Sequence, residues 1–508
     1  MCCRDNLSSE SDGDEGKDSA DEVDDDEESP FRDPPLGYVR LRPSQFKRLP
    51  ATVFMEYPPE LEIKRVDISK LEELGNRKLY YSSYWERICV KNAFLRAGFT
   101  KTEGSNYWTA LWSKHQNESQ LKSLNCLQKV NHFPESWCIG RKDRLSRTLN
   151  TMKRLHGPEH FNFHPDSYIL PQERDSFQRL VKNELTTALQ RNNPTYSQPL
   201  WILKPVASSC GRGIRVITAQ QALQLPAKKK ALLQRYLMKP YLIDGKKFDL
   251  RIYVLVSGVD PLRIYIHDEG LTRISTSKYS LNNISNRFAH LTNYSVNKKA
   301  SVFKAAALNS PNANNNAGGE AFDADPTAAA PANDPETEGF KWSLTAFRRW
   351  LARQTSQATM EETFARIYDL CVKTIIAAEG DITPNLYTTA NYRTNCYELF
   401  GMDVILDHQL QPSLLEVNVS PSLMGSSPLD KRIKGTVIAD LLHIVGIYPH
   451  DPKILKKYDV DCESPGNNRG IARGDEHYNN SYSSQNTGNP FAFTSLTKMM
   501  NSQGILLH

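Results

Sequence analysis

The chain has 508 residues, of which 39% are hydrophobic, and it carries a formal net charge of +5. This length and apolar content predict a soluble, mostly globular protein of two to four domains with real hydrophobic cores. The sequence has no apolar run of about 18 residues, which argues against a membrane-spanning helix, and its nine cysteines lack both the CxxC spacing of a zinc site and the even count of a disulfide framework.

The acidic residues are concentrated at the start of the chain. Residues 1–28 contain 13 Asp and Glu against two basic residues, a net charge of −11, so the remaining chain carries +16. Residues 1–35 are nearly free of apolar side chains and are predicted to be disordered. No signal-peptide pattern is present, which favours the cytosol or nucleus. The cationic remainder favours an acidic partner, either a nucleic acid or a carboxylate-rich protein surface, although many such charges are simply solvated.

A globular, tryptophan-rich segment follows, and residues 36–199 are assigned to an N-terminal domain. Residues 85–95 show the apolar spacing of a helix. An Asn-His-Phe-Pro sequence at residues 131–134 precedes a basic stretch at residues 138–145, which contains Lys142 and is predicted to open a second helix. Such a stretch is usually a solvated helix start, so its interest lies in its position just ahead of the next segments.

A buried strand is predicted at residues 200–205, with Lys204 near its end. A lysine there is suited to meet a phosphate, although snorkelling to solvent is a common alternative. The segment 208–214 follows, and small residues such as Gly211 let backbone N–H groups approach a triphosphate. Because this segment lacks the P-loop and Rossmann fingerprints, and because ordinary hairpins also use glycine, it is weak evidence alone.

Two further strands are predicted at residues 232–237 and 247–256. The first has the character of a linker between two sheets, with backbone amides that would suit an adenine edge. In the second, the period of two places Lys247, Asp249 and Arg251 on one face. Three charges on one strand face must pair with one another or meet a charged ligand, because an unpaired buried charge is costly.

The sheet is predicted to continue through residues 262–266 and 271–274. Within the second segment, Arg273 is either an exposed edge charge or a guanidinium fork for a carboxylate. Residues 290–299 are dense in hydrogen-bonding side chains. The Ala-, Asn- and Pro-rich residues 300–339 are then predicted to form a disordered insert.

Three helices are predicted after the insert. The first begins at residues 341–343, and the second covers residues 360–378 with an apolar stripe toward the core. The third covers residues 433–445 and closes the domain. The polar residues 451–508 lack periodicity and are predicted to be a flexible tail.

A hairpin of two apolar strands is predicted at residues 397–407 and 413–423. Alternation in the second strand places Leu414, Glu416, Asn418 and Ser420 on one face, and Asp403 of the first strand is expected to lie opposite Glu416 and Asn418. Two carboxylates and an amide supply the hard oxygen ligands that Mg²⁺ prefers. The alternative for an isolated Glu-x-Asn sequence is a buried polar pair on an edge strand.

Several of these segments occur in a specific order: Lys204-Pro205 with the glycine segment, Gln234-Arg235-Tyr236-Leu237, Lys247-Phe248-Asp249-Leu250-Arg251, His290-Leu291-Thr292-Asn293-Tyr294-Ser295 and Leu415-Glu416-Val417-Asn418. This order resembles the tubulin-tyrosine-ligase-like family of ATP-grasp ligases, and within it the polyglutamylase branch, over residues 133–449. The resemblance implies an α+β chain with an ATP-grasp fold. Its central domain would span residues 200–270 and its C-terminal domain residues 271–450, preceded by a smaller α/β N-terminal domain.

The resemblance also implies a role for each matching residue. The nucleotide shell would comprise Lys204, Gly211, Gln234, Arg235, Tyr236, Leu237, Lys247, Phe248, Asp249, Thr292 and Asn293. The Mg²⁺ ligands would be Asp403, Glu416 and Asn418. The incoming amino acid would be held by Arg273, Tyr294, Ser295 and Lys341. Catalytic basic residues lining the cavity would be Arg251 and Lys142. The chain departs from the family pattern at two positions, Cys210 and Ser413.

The implied activity is ATP- and Mg²⁺-dependent ligation of free L-glutamate to glutamate side chains of tubulin tails, through an acyl phosphate and an isopeptide bond. Tubulin or microtubules would be the partner, with no nucleic acid and no membrane, and the chain would act as a monomer. The implied locations are the cytoplasm and cytoskeleton, with the cilium, flagellum and basal body as further candidates. Two alternatives remain: a related ligase that adds glycine or tyrosine, and a microtubule-binding protein with a weak or dead nucleotide site.

Overall fold

A computed structural model describes residues 41–44, 50–55, 77–104, 107–190, 199–206, 211–300 and 334–456. The predicted acidic tail, residues 1–35, lies outside the described residues. So do residues 301–333 of the predicted insert and residues 457–508 of the predicted C-terminal tail. Among the described residues, no helix combines the length and hydropathy that crossing a bilayer requires.

The N-terminal part is built on a parallel sheet of four short strands in the order β4-β3-β5-β6. Because the strands are parallel, the chain leaves β3, β5 and β6 at one edge, where residues 84, 113 and 131 follow. A separate two-stranded ribbon pairs β1 with β2. The elements are β1 (Leu41–Arg42), β2 (Thr52–Val53), β3 (Tyr80–Ser83), α1 (Ile88–Arg96), β4 (Thr100–Lys101), β5 (Ala110–Trp112), α2 (Glu118–Lys122), β6 (Lys129–Val130), α3 (Trp137–Gly140), α4 (Lys142–His156) and α5 (Pro158–Phe161).

The second sheet is antiparallel, with four strands in the order β7-β10-β8-β9. One face packs Trp201, Leu203 and Leu233 against Phe177 of helix α6, and alternation turns Lys204 and Gln234 to the other face. Its elements are β7 (Ser167–Leu170), α6 (Arg174–Gln190), β8 (Leu200–Lys204), β9 (Arg215–Thr218), α7 (Ala219–Leu223) and β10 (Ala231–Arg235).

The third and largest sheet has the order β15-β16-β14-β12-β17-β18, with β11 and β13 also paired to β12. The 14-residue strand β12 is at its centre. The elements are β11 (Leu242–Ile243), β12 (Lys246–Val259), β13 (Leu262–Ile266), β14 (Leu271–Lys278), a 3-10 turn (Leu281–Asn283), α8 (Arg287–His290), α9 (Tyr294–Asn297), β15 (Thr337–Glu338), β16 (Lys341–Ser343), α10 (Leu344–Gln354), α11 (Gln357–Thr389), β17 (Glu398–Leu406), β18 (Pro412–Asn418) and α12 (Pro428–Val445).

The main core joins the N-terminal part to the largest sheet. Phe248 and Ile252 on one face of β12 pack with Phe347 of α10 and Ile367 of α11. The same apolar cluster contains residues from the N-terminal part, namely Leu111, Leu121, Val130, Phe133, Ile139, Leu145 and Leu149. The opposite face of β12 packs against α12. The sheet is therefore covered on both sides, and its central strand is buried along most of its length.

The sheets divide the chain at different places from the predicted boundaries at residues 200 and 270. The second sheet begins at β7, because strand Ser167–Leu170 pairs with β10. The largest sheet begins at β11, so strands β11 to β13 belong with β14. Strand pairing between distant segments sets these limits, and composition carries no signal for it.

Three predicted elements differ from the structure near the insert. Residues Lys341–Ser343 form strand β16 rather than the start of a helix, because they pair with β14 and bury Trp342. The helix begins at Leu344, where Ser343 Oγ accepts a hydrogen bond from the N–H of Ala346 at 2.9 Å. The predicted insert extends too far, because β15 lies within it. The predicted helix 360–378 is longer in the structure, where α11 continues to Thr389.

The predicted flexible tail also begins too early. Residues 452–456 are helical, and the carboxylate of the buried Asp451 lies 3.2 Å from Nε of Arg77. His450 forms a backbone bridge with Lys78. These contacts attach the start of the predicted tail to the N-terminal part of the fold.

Gly270→Ala should lower the free energy of unfolding by about 1–3 kcal/mol, as overpacking does in other cores. A Cβ at Gly270 would overlap the backbone carbonyl oxygen of Arg251 and lie 2.9 Å from Cδ1 of Leu344. Urea unfolding measures the change. Gly380→Ala on α11 is the control: nothing lies within 4 Å of its Cβ, so the better helix propensity of alanine should stabilise the protein slightly. Equal effects of the two substitutions would contradict the packing argument.

Candidate active site

The two strands of the predicted metal hairpin pair as expected. Strands β17 and β18 are antiparallel, and their register places Asp403 directly opposite Glu416 and Gly401 opposite Asn418. The amide nitrogen of Asn418 donates to the carbonyl of Gly401 at 3.1 Å. This hydrogen bond fixes the amide end of a side chain that alternation places on the same strand face as Glu416.

One detail of the hairpin was predicted wrongly. The register shifts between Asp403 and Val404, so Val404 faces Leu414 and residue 415 is an extra residue in β18. This bulge turns Leu414 into the core with Val417, away from the face of Glu416. It also turns the carbonyl of Leu415 toward Lys204 Nζ, 3.3 Å away. Strict alternation cannot foresee a bulge, because one extra residue reverses the face of every residue beyond it.

Four charged side chains form a buried cluster next to the hairpin. Asp403 accepts from Arg251 Nε at 2.6 Å and from Arg273 Nη2 at 2.7 Å. Arg273 also grips Asp249 with two hydrogen bonds of 2.6 and 2.8 Å. Burial opposes ionisation of Asp403, but Arg251 and Arg273 outweigh burial and hold its pKa well below the usual range. Two members of the predicted charged face of β12 are therefore paired internally, Asp249 with Arg273 and Arg251 with Asp403.

Two buried lysines face the space between the second and third sheets. Lys204 Nζ donates to Oε1 of Gln234 at 2.7 Å, and Lys247 Nζ donates to the hydroxyl of Tyr236 and the carbonyl of His290, both at 3.0 Å. Burial lowers the pKa of Lys204 to about 8 and that of Lys247 to about 7, because the charged form loses its hydration. Such amines gain charge readily when an anion arrives.

Lys142 approaches the hairpin from the N-terminal part. It is the first residue of helix α4, and its Nζ lies 3.4 Å from Oε2 of Glu416. The two side chains are partly exposed, at 16% and 20%. A cation from the N-terminal part thus meets the candidate metal ligands of the third sheet.

Gly211 lies where the glycine segment meets helix α9. Its φ of +70° is in the left-handed region, and an added Cβ would lie 3.0 Å from Oδ1 of Asn293 and from Cγ2 of Val296. Arg287 Nη2 donates to the Gly211 carbonyl at 2.8 Å. The hydroxyl of Thr292 donates to Oδ2 of Asp249. Three predicted nucleotide residues, Gly211, Asn293 and Thr292, are therefore held together, whereas Cys210 lies outside the described residues.

Two predicted nucleotide residues point elsewhere. Phe248 alternates with Lys247 and Asp249, so its side chain packs in the core, 5.2 Å from the ring of Phe347, and cannot line the charged face. The guanidinium of Arg235 lies over the ring of Trp201 at 4.8 Å and pairs with Glu184.

Some of the backbone amides that are predicted to hydrogen-bond with the edge of an adenine ring already donate to other backbone carbonyls. The N–H of Arg235 donates to the carbonyl of Asp166 at 2.8 Å, and the N–H of Tyr236 donates to that of Leu200 at 2.9 Å. These two N–H groups are therefore already used by hydrogen bonds at the end of β10 and just beyond it. Of the predicted linker residues, Leu237 therefore remains the candidate for a backbone contact with the base.

The residues predicted to hold the amino acid fall into two groups. Arg273 is bound to Asp249 and Asp403, as described above. Lys341 Nζ lies 2.6 Å from Oδ2 of Asp430, 2.9 Å from Oγ of Ser426 and 3.9 Å from the ring centroid of Tyr294. Ser295 follows Tyr294 in helix α9. The geometry does bring Tyr294 and Lys341 together, and their roles toward an amino acid stay predictions.

Sequence reasoning missed three side chains that position this site. Asp430 holds Lys341, and the buried imidazole of His164 lies 3.2 Å from the amide nitrogen of Gln234. Glu398 accepts a hydrogen bond from His132. Each pair joins residues that are 70 to 266 positions apart, so no local spacing connects them.

Comparison with known proteins identifies the family. The model of the "Tubulin-tyrosine ligase family" matches residues 119–326 and 323–454. The chain belongs to the tubulin-tyrosine ligase family. Family membership, predicted from the order of the segments, is thus confirmed, and the mixed helices and sheets agree with the predicted α+β class.

Within the tubulin-tyrosine ligase family, the similar curated proteins are named as glutamylases. The chain is 38% identical to tubulin monoglutamylase TTLL4 of Homo sapiens over 389 residues, which cover 76% of this chain and 29% of that protein. It is 36% identical to tubulin polyglutamylase TTLL5 of Mus musculus over 416 residues, 80% of this chain and 28% of that protein. Identity to tubulin polyglutamylase ttll-4 of Caenorhabditis elegans is 30%, over 84% of this chain and 63% of that protein. The chain therefore spans less than a third of the first two relatives.

Proposed function

We propose that this protein is an ATP-dependent ligase that joins free glutamate to glutamate side chains of tubulin tails through an isopeptide bond. The observation that carries the proposal is the strand pair in which Asp403 lies opposite Glu416, with Lys204 and Lys142 beside it. Carboxylates and cations at one place suit a metal-bound polyphosphate better than a neutral ligand. The names of the relatives support glutamate as the amino acid.

The oxygen ligands proposed for Mg²⁺ fit the residues present. Arg251 and Arg273 each use one lone-pair position of the Asp403 carboxylate, which has about four in all. Glu416 is partly exposed, and the amide nitrogen of Asn418 is used by the Gly401 carbonyl, which leaves its oxygen as the ligand atom. When bound, Mg²⁺ would neutralise charge on the phosphates of the nucleotide. Lys204, Lys142 and Lys247 would hold the phosphates by charge.

The reaction has two steps. A side-chain carboxylate of the acceptor attacks the γ-phosphorus of ATP, forming a C–O–P linkage and releasing ADP. The amine of free glutamate then attacks the acyl carbon, and inorganic phosphate leaves as the amide forms. The buried lysines and Arg251 stabilise the negative charge that develops on the transferring group. Both steps need the reactants held close together, and the second and third sheets would hold them so.

The decisive experiment supplies the pure protein with ATP, Mg²⁺ and microtubules, and with labelled glutamate, glycine or tyrosine in separate reactions. Incorporation of glutamate, lost when ATP is omitted, is the expected result. Incorporation of glycine or tyrosine alone would overturn the substrate assignment. Mass spectrometry of the tubulin tails then locates the isopeptide branch.

A second candidate function is microtubule binding with a weak nucleotide site. The observation that favours it is the engagement of both Asp403 oxygens by guanidinium groups, as in a purely structural ion pair. In that case the protein would bind microtubules, and no amino acid would be incorporated. The cationic part of the chain, +16 beyond residue 28, suits the acidic tubulin surface in both cases. A monomer in the cytoplasm and on the cytoskeleton, including the cilium, is the arrangement we propose.

ATP binding should be accompanied by proton uptake near pH 8. The pKa of Lys247 is about 7 and that of Lys204 about 8 because both amines are buried, and a neighbouring triphosphate favours their charged forms. The affinity for ATP should therefore weaken as pH rises from about 7.5 to 9. Calorimetry in phosphate and in Tris, whose ionisation enthalpies differ, measures the uptake.

The control for this prediction is the same titration on Lys204→Met and Lys247→Met. Each substitution removes one group that takes up a proton, so the difference in heat between the two buffers should shrink. A binding heat that is independent of the buffer in the unsubstituted protein would contradict the prediction.

A further inference from the structure

A chain of hydrogen bonds links a buried carboxylate to an exposed hydroxyl beside the candidate metal ligands. The side chain of Glu398 on β17 is fully buried, and its Oε1 lies 2.7 Å from Nδ1 of His132. On the other side of the imidazole, Nε2 lies 3.4 Å from Oγ of Ser420, an exposed residue. With the proton on Nδ1 toward the carboxylate, the lone pair of Nε2 faces the hydroxyl.

The carboxylate end of this chain is rigidly held. Glu398 also accepts from the N–H of Phe133 and from Oγ of Ser136, both at 3.1 Å. The ring of His115 stacks on that of His132, with centroids 4.1 Å apart and planes inclined by 13°. Burial and the neighbouring His132 lower the pKa of His115 to about 3, so this ring is neutral. Two titratable side chains, those of His115 and Glu398, thus contact His132 directly.

His115, His132 and Glu398 are residue types that bind metals, and their ligand atoms lie within 4.8 Å of one another. An ion, however, lies in the plane of each imidazole that binds it. Two nearly parallel rings stacked at 4.1 Å cannot both meet this condition without turning. The hydrogen bonds of the cluster point instead to a proton path that ends at Ser420.

Ser420 is the second residue of the loop between β18 and α12, two residues after Asn418. The next residue, Pro421, packs on Gly401, where an added Cβ would lie 2.7 Å from Cβ of Pro421 and 3.2 Å from Cδ of Arg251. The loop therefore passes directly beside the guanidinium that binds Asp403.

The same loop reaches the lysine assigned to the amino acid. Oγ of Ser426, near its end, lies 2.9 Å from Nζ of Lys341. Ser420 thus lies on the chain segment that connects the candidate metal ligands with the candidate amino-acid site. A hydroxyl at this position is suited to contact the amine of an incoming amino acid.

We propose that Ser420 is a catalytic residue that takes a proton from the amine of the incoming glutamate, and that His132 and Glu398 are positioning residues for it. The inference rests on the proposed function. Free glutamate arrives as an ammonium ion, which has no lone pair for attack on the acyl carbon. As its N–H bond breaks, the proton passes to Ser420 Oγ, and the hydroxyl proton passes to Nε2 of His132. The imidazolium that results is stabilised by Glu398 and later returns its proton to solvent.

Three variants test this path: Ser420→Ala, Ser420→Thr and His132→Gln. Ser420→Ala removes the hydroxyl but keeps the hydrogen bond between His132 and Glu398, so the contact that this hydrogen bond makes between the N-terminal part and β17 is retained. We expect ligation of glutamate near pH 7 to fall about 100-fold in Ser420→Ala and His132→Gln, with most of the loss in kcat, and to recover in Ser420→Thr. The matched control is His160→Gln, a change at an exposed histidine of α5.

A second nucleophile separates proton removal from the rest of the reaction. Hydroxylamine is largely uncharged at neutral pH, so it attacks an acyl phosphate without prior loss of a proton. Ser420→Ala and His132→Gln should therefore form the hydroxamate of an acidic acceptor peptide at the rate of the unsubstituted protein. Their defect with glutamate should also narrow as pH rises, because a larger fraction of the free amino acid then has a neutral amino group.

The outcomes are distinct. Full glutamate ligation in Ser420→Ala would overturn the proton path alone. Equal loss of hydroxamate and glutamate products in both variants, at all pH values, would show a structural role and would also overturn it. If the unsubstituted protein formed neither product, the proposed function itself would fail, and the proton path with it.

Discussion

Glu416→Gln should reduce glutamate incorporation by about 1,000-fold. This factor corresponds to about 4 kcal/mol of transition-state stabilisation, a loss of several kcal/mol being expected when a metal ion loses a ligand. The substitution removes one negative charge from the pair of carboxylates on β17 and β18 while keeping the shape of the side chain. It also weakens the electrostatic attraction between this side chain and Lys142, whose Nζ lies 3.4 Å from Oε2 of Glu416. Incorporation of labelled glutamate into microtubules, at saturating ATP, measures the effect.

The fold and the docking of microtubules should survive this change, because the side chain of Glu416 is only partly buried. Cosedimentation with microtubules is expected to be unchanged. Glu118→Gln on α2 is the matched control, since it neutralises an exposed carboxylate that pairs with Lys122 one turn away. Glutamate incorporation within threefold of the unsubstituted rate in Glu416→Gln would exclude a metal-binding role for this residue.

Asp403→Asn should lower the free energy of unfolding by about 3–5 kcal/mol, the cost of removing one charged partner from a buried ion pair. Without the carboxylate, the guanidinium groups of Arg251 and Arg273, which are 10% and 12% exposed, lose their shared partner. The depressed pKa of Asp403 means that its stabilising effect is complete above about pH 3.9, the usual pKa of an aspartate, and is lost only as pH falls below that value. Urea unfolding at neutral pH therefore measures the full effect.

The comparison for this prediction is Asp369→Asn on α11. Asp369 lies 2.6 Å from Lys373, but its side chain is 50% exposed, so its loss should cost less than about 1 kcal/mol. If both substitutions had equally small effects, the buried cluster would not contribute to stability in the way that its geometry indicates.

The charged face of β12 shows what sequence patterns can predict. A period of two was enough to place Lys247, Asp249 and Arg251 together, because a strand in the middle of a sheet keeps its alternation. The predicted position of Asp403 opposite Glu416 is also confirmed, since a short turn leaves few alternatives, whereas Asn418 lies opposite Gly401.

The errors have equally physical causes. The bulge at residue 415 turns the side chain of Leu414 to the opposite face of β18 from the predicted one. No residue type at this position indicates a bulge. The sequence predicts a helix start at the residues of β16, which form a strand because they pair with β14 and β15. The partners of Lys341 and of His132 are brought close by the tertiary fold alone, so local spacing carried no sign of Asp430 or Glu398.

One apolar cluster contains residues of the N-terminal part together with one face of β12, and this shared core determines how the protein unfolds. Since Val130, Phe133 and Ile139 share a core with Phe400 and Val417, the parallel sheet has no separate interior of comparable size on this side. The N-terminal part and the largest sheet should therefore melt in one cooperative transition, and a fragment that starts after α4 would expose this surface and aggregate.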